Sequence, residues 1–142
     1  MRPAAQRLGI ELITFHMLMP SDAEAMISDA QQQRADAVWA YGGGDLGGPQ
    51  FARLVSAAGL PLMSVARLQT EAGGLLSYGP DFPDLYRRAA VMADRLLKGA
   101  SPAEMPVEQP TKFELVINLK SAQRLGVTIP RSVLLRADEV IQ

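Results

Sequence analysis

Two apolar patterns alternate along the chain. Runs such as "AVWAY", "PLMSVA" and "FELVIN" are nearly continuous, while the segments between them repeat apolar positions at helical spacing. Short continuous runs bounded by glycine or proline read as strands, and i, i+4, i+7 spacing reads as helix. Residues 3–8 form a helical stub that Gly9 stops as a C-cap would. Ile10 to Phe15 alternates and is rich in β-formers, so a strand is expected there. "SDAEAMISDAQQQR" opens with Ser21 and Glu24 at the spacing of a capping box, and Met26, Ile27 and Ala30 then share one helical face.

A strand over 36–41, nearly all apolar and closed by glycine, suits burial on both faces. The next helix has Pro49 in its first turn and Gly59 after its end. "PLMSVA" is another buried strand, and "GGLLSYG" reads as a strand running out into a loop. The clearest helix spans 82–98. There Leu85, Ala89, Met92 and Leu96 form one stripe, and Arg87, Arg88, Asp94, Arg95 and Lys98 supply the charge. A turn-rich linker, the strand "KFELVIN", the short helix "KSAQRLG" and a last helix from Pro130 complete the chain. Strands that alternate with helices imply right-handed crossovers and a parallel sheet, so the class is α/β.

Composition narrows the function. With 142 residues, 48% of them hydrophobic and 20% charged, the chain can build one real core. The formal net charge of −1 lacks the basic excess of a nucleic-acid binder. There are no cysteines, which removes disulfides and thiolate metal sites and leaves the compartment open. No stretch reaches the ~20 apolar residues of a membrane-spanning helix. Arg7 interrupts any signal-peptide core, so the polypeptide as written is expected to stay in the cytoplasm.

Candidate chemistry is sparse. In "YGGGDLGG", Gly42, Gly44 and Gly47 satisfy G-x-G-x-x-G between a strand and a helix, with Glu71 downstream. Such a pattern fits a nucleotide loop, but a run this rich in glycine satisfies many patterns, and the Lys-Ser/Thr pair of a P-loop is absent. It also fits a simple turn. The favoured reading is a ligand loop at the carboxyl end of a strand, in which Asp45 accepts from a ligand amine or hydroxyl. Tyr41 and Trp39 share a strand face, where the first can stack on a ligand and the second suits the core. At the other strand exit Ser77 and Tyr78 can offer hydroxyls to a ligand, and the same stretch fits a hinge or turn equally well. His16 is the only histidine, and no G-x-S-x-G elbow surrounds Ser21, Ser64 or Ser77, which argues against a serine hydrolase. Asp81 and Asp84 are placed for capping and for the helix dipole. Binding without catalysis, metal or cofactor is the expected class.

From Gly73 to Ile141 the wording becomes specific. "GGLLSYGPDFPDLYRRAAVMADRLLKGASPAEMPVEQPTKFELVINLKSAQRLGVTIPRSVLLRADEVI" closely resembles the C-terminal signature of a family of ABC-transporter substrate-binding proteins. Residues 8–72 resemble it in the order of elements, with more glycines in the loop than is usual. The resemblance implies a type I periplasmic-binding-protein fold, in which two Rossmann-like lobes close on a small solute. It assigns 1–79 to part of the second lobe, 80–105 to a helix and linker of the first lobe, and 106–142 to the hinge crossing, a strand and the C-terminal helices. On this pattern the chain starts within the first helix of the second lobe, without most of the first lobe, and is expected to be a truncated form.

The implied partners are an amino-acid-like solute and a membrane permease, and the implied location is periplasmic or extracellular. Tyr41, Gly44, Asp45, Ser64 and Tyr78 are the expected ligand-binding residues. A homo-oligomer is expected from the apolar surface left uncovered. The other reading that stays open is a cytoplasmic regulatory or nucleotide-binding module built on the Gly42–Gly48 loop.

Overall fold

Local sequence rules account for where the elements start and stop. The computed structural model describes residues 2–41 and 48–142, so the glycine loop with Gly44 and Asp45 lies outside the described residues. Helix α1 spans Arg2–Arg7, and Gly9 follows it at φ +68°. A 3-10 turn at Pro20–Asp22 leads into α2, Ala23–Gln32. The Ser21/Glu24 capping box does not form. Asp22 takes the N-terminal position instead, and its carboxylate accepts from the backbone N–H groups of Leu18 and Met19 at 3.1 and 2.9 Å.

Strand β1 is Val38–Ala40, α3 is Pro49–Ala57 and β2 is Leu62–Ser64. Pro49 opens α3, where its missing N–H costs nothing, and Gly59 beyond it adopts φ +74°. Helix α4 is Arg67–Glu71, β3 is Leu76–Pro80 and α5 is Phe82–Leu97. Strand β4 is Phe113–Asn118, α6 is Leu119–Leu125, α7 is Arg131–Leu134 and β5 is Glu139–Ile141.

The five strands lie in the order β1-β2-β3-β4-β5. All neighbours are parallel except β3 and β4, which run antiparallel over five residue pairs from Leu76↔Ile117 to Pro80↔Phe113. The expectation of a parallel sheet is therefore corrected at one junction. Helix α5 does not return the chain to the start of the sheet, so β4 enters from the same end at which β3 leaves. A second correction concerns the last helix. It stops at Leu134, and the chain then pairs as β5 because Asp138 clamps Leu115 with its backbone N–H (2.9 Å) and its carboxylate (2.8 Å).

A third correction is Ile10–Phe15, which is not a strand. The segment finds no ladder partner among the described residues, and Phe15 and Met17 turn onto the α2–α3 core instead. The core itself lies on one face of β1 and β2. Ala23, Ile27 and Ala30 of α2 meet Phe51, Ala52 and Val55 of α3 over Leu60 and Leu62. The opposite face is more open. Trp39 and Met63, paired in register, are both exposed, Trp39 by 44%. Burial of these strands on both faces is thus not observed.

Candidate functional site

In open α/β sheets ligands sit beyond the carboxyl ends of the strands. Here that edge is formed by Tyr41 after β1, the Val65–Ala66 turn after β2 and the last residues of β3. Ala40, Ser64 and Ser77 are aligned across the three strands, so the edge residues follow one row further out.

Tyr41 is 74% exposed, and its ring lies 5.9 Å from that of Trp39, which places both on the open face as their i, i+2 spacing requires. Tyr78 is 53% exposed and stacks on Phe113 of β4, with centroids 5.8 Å apart and planes 25° from parallel. These rings give the edge two aromatic platforms with phenolic tips. Ser64 points the other way. It is 1% exposed, and its hydroxyl donates to the carbonyl of Ala66 at 3.0 Å. Ser64 thus shapes the turn, with its hydroxyl already engaged. Gly44 and Asp45 lie outside the described residues, so among the expected residues only Tyr41 and Tyr78 present side chains at this edge. Ser77 is buried and faces inward with Ser64.

The β2–α4 turn is held from several sides. β3 approaches it so closely that a Cβ on Gly79 would run into the carbonyl oxygen of Val65. Glycine is the residue that permits this approach. Arg67, the first residue of α4, donates from Nε to Glu71 at 2.7 Å and from Nη2 to Glu139 at 2.5 Å, while Nη1 lies 3.7 Å from Glu114. Hydrogen bonds to Glu71 and Glu139 raise its pKa further above the ordinary arginine value.

A second ion pair lies where β3 gives way to α5. The Asp81 carboxylate caps the helix by accepting from the Asp84 N–H at 2.9 Å and takes a 2.5 Å hydrogen bond from Lys112 Nζ. The hydrogen bond from Lys112, then that from Asp84, hold the Asp81 pKa below the usual carboxylate range. Asp81 in turn raises the Lys112 pKa. Capping by Asp81 was legible in the sequence. The Arg67 cluster was not, because Glu114 and Glu139 are far from it in the chain. The isolated glycine in "SYGP" was the available signal for the close approach at Gly79.

Two surface concavities lie elsewhere. One is bounded by Asp84, Arg87, Arg88, Val91, Met92, Arg95 and Glu108, between α5 and the returning chain. Arg88 fastens that return by pairing with Glu108 at 2.5 Å and with Thr111 at 3.0 Å. The other lies against α1. Among the described residues no cluster of three or more His, Cys, Asp or Glu is arranged to hold a metal ion, and no helix is long and apolar enough to cross a membrane.

Comparison with known proteins agrees with this architecture. The family described as ABC transporter substrate binding protein matches residues 1–141. A solved conserved domain protein from Vibrio cholerae is 25% identical, with a TM-score of 0.88 over 98% of this chain and 47% of its own. An ABC domain in complex with L-Trp from Streptococcus pneumonia is 32% identical, with a TM-score of 0.87 over 98% of this chain and 48% of its own. A ligand-free, open substrate binding protein with adhesive properties from Clostridium difficile, 18% identical at a TM-score of 0.63 over 99% of this chain and 48% of its own, shares the fold. No curated protein matches. The chain spans about half the length of the solved structures it matches. It belongs to the ABC transporter substrate binding protein family.

Proposed function

We propose that this chain supplies one wall of a solute-binding cleft and takes an amino-acid-like solute at the carboxyl edge of β1–β3. The observation that carries the reading is the pair of exposed aromatic platforms at that edge, Tyr41 beside Trp39 and Tyr78 on Phe113, in a chain 32% identical to a domain that holds L-Trp. Aromatic faces stack on apolar or aromatic side chains, and phenolic tips supply hydrogen bonds. Asp45 and Gly44 complete the site in this reading, with the carboxylate accepting from the solute's ammonium group.

A second lobe forms the other wall. Helix α5 and the linker to residue 105 belong to that side, and residues 106–112 bring the chain back to β4. The whole protein then delivers its solute to a membrane permease and works outside the cytoplasmic membrane. Calorimetric titration with L-tryptophan, the other amino acids and, as a control, nucleotides tests the reading. Saturable heat from an amino acid is expected. Binding of a nucleotide alone would replace this reading with one centred on the glycine loop.

A further inference from the structure

We propose that Arg67 is a positioning residue for the solute site. It locks the β2–α4 turn to β4 and β5, the strands the chain reaches only after the α5 excursion. The proposal rests on the reading of the carboxyl edge as the binding edge. Its own basis is the distribution of Arg67's partners. Glu71 lies one turn along the same helix and can only stiffen α4. Glu139 opens β5, and Glu114 lies opposite Gly79 at the start of β4. One guanidinium therefore spans from the turn to two strands beyond the crossing, using its planar fork to meet them.

The other contacts of the turn act at its inside, on the β3 side and at the far end of α4. Ser64 closes it internally through Ala66, and Gly79 sets how near β3 can come. Further along α4 the Thr70 carbonyl accepts from Asn118 Nδ2 of β4 at 2.9 Å, which holds the end of the helix, and Arg67 ties its start, next to the turn, to β4 and β5. Half-exposed ion pairs contribute little to global stability, so the effect of the cluster is local geometry. Any displacement of β4 at the crossing is carried to the turn through this side chain. The turn lies beside the Tyr78 platform, because Ser64 and Ser77 are neighbours in the ladder. Arg67 thus acts on a solute without touching it.

The test compares the full chain with Arg67→Met, Arg67→Lys and Glu139→Gln by amide hydrogen exchange and by titration with L-tryptophan. Arg67→Met should raise exchange in residues 65–68 roughly fivefold or more while leaving the α2–α3 core unchanged, as local opening requires. It should weaken L-tryptophan about tenfold with little change in the unfolding midpoint. Arg67→Lys, which keeps the charge and loses the fork, should fall between, and Glu139→Gln should move both readouts in the same direction by less. Unchanged exchange in 65–68, or unchanged affinity where the parent binds, would overturn the proposal. If the parent binds no amino acid, the solute reading fails, and the exchange data still decide whether Arg67 holds the turn.

Discussion

Helices α3 and α5 are both strongly amphipathic in sequence, yet they meet opposite fates. Helix α3 buries Phe51, Ala52 and Val55 against α2 and the sheet. Helix α5 carries a stripe of Leu85, Ala89, Met92 and Leu96 through sixteen residues and buries none of them. Leu97 and Tyr86 beside the stripe are also exposed. The difference teaches that an apolar stripe declares a need for a partner without naming it. Helix α3 has its partner within the lobe. On α5, Ala89 and Leu96 are exposed and Leu85 and Met92 only half-buried, and in the proposed reading a second lobe covers the stripe.

The largest effect should come from breaking the satisfied side. Phe51→Ala removes a buried aromatic from the α2–α3 core and should cost about 3–5 kcal/mol, seen as a lower denaturant midpoint. Leu97→Ala on α5 should stay within about 0.5 kcal/mol. Equal losses at both sites would mean that α5 is covered after all. Next comes Gly79→Ala, which forces β3 away from Val65 and should cost about 1–3 kcal/mol as an overpacked site.

The third prediction concerns association. With no α5 stripe residue fully buried and β1 an outer strand of the sheet among the described residues, the 142-residue chain should form dimers or larger species at micromolar concentration. Light scattering checks this, and Leu85→Lys with Leu96→Lys should return it to monomer. A parent that is monomeric throughout would remove the oligomer.

The smallest effect is electrostatic. Asp81 has a depressed pKa, so its pairing stabilises the fold above the ordinary carboxylate range of about 3.9, and that contribution is lost as pH falls through the lower folded value. Lys112 has a raised pKa. Its contribution is complete below its ordinary value of about 10.4 and is lost as pH rises through the higher folded value. Asp81→Asn should flatten both limbs of a stability–pH curve, and limbs that match the parent would show that the pair does not contribute.

Legibility in the sequence followed the range of the interaction. Pro49, Gly59, Asp81 and the apolar runs mark their elements because caps and periodicity act over a few residues. The α/β class followed from their alternation. Ile10–Phe15 has strand composition, but a strand exists only with a neighbour to pair with. "ADEVI" has helical composition and pairs as β5 because Asp138 finds Leu115 across the sheet. At the carboxyl edge, Tyr41 and Tyr78 were legible as aromatic residues at strand ends. The inward turn of Ser64 depends on sheet register, and the reach of Arg67 to Glu139 spans 72 positions that no local pattern connects.

The antiparallel junction has a consequence for chain entropy. Pro80 lies opposite Phe113, and the N–H of Asp81 donates to the carbonyl of Lys112 at 3.0 Å, so the excursion through α5 leaves and re-enters the sheet at a single rung. Once β3 and β4 pair, the ends of that excursion are already together. Doubling its length would then add only about 0.6 kcal/mol of closure cost. The segment from 82 to 111 can therefore be shortened, lengthened or exchanged at little thermodynamic cost to the sheet that anchors it.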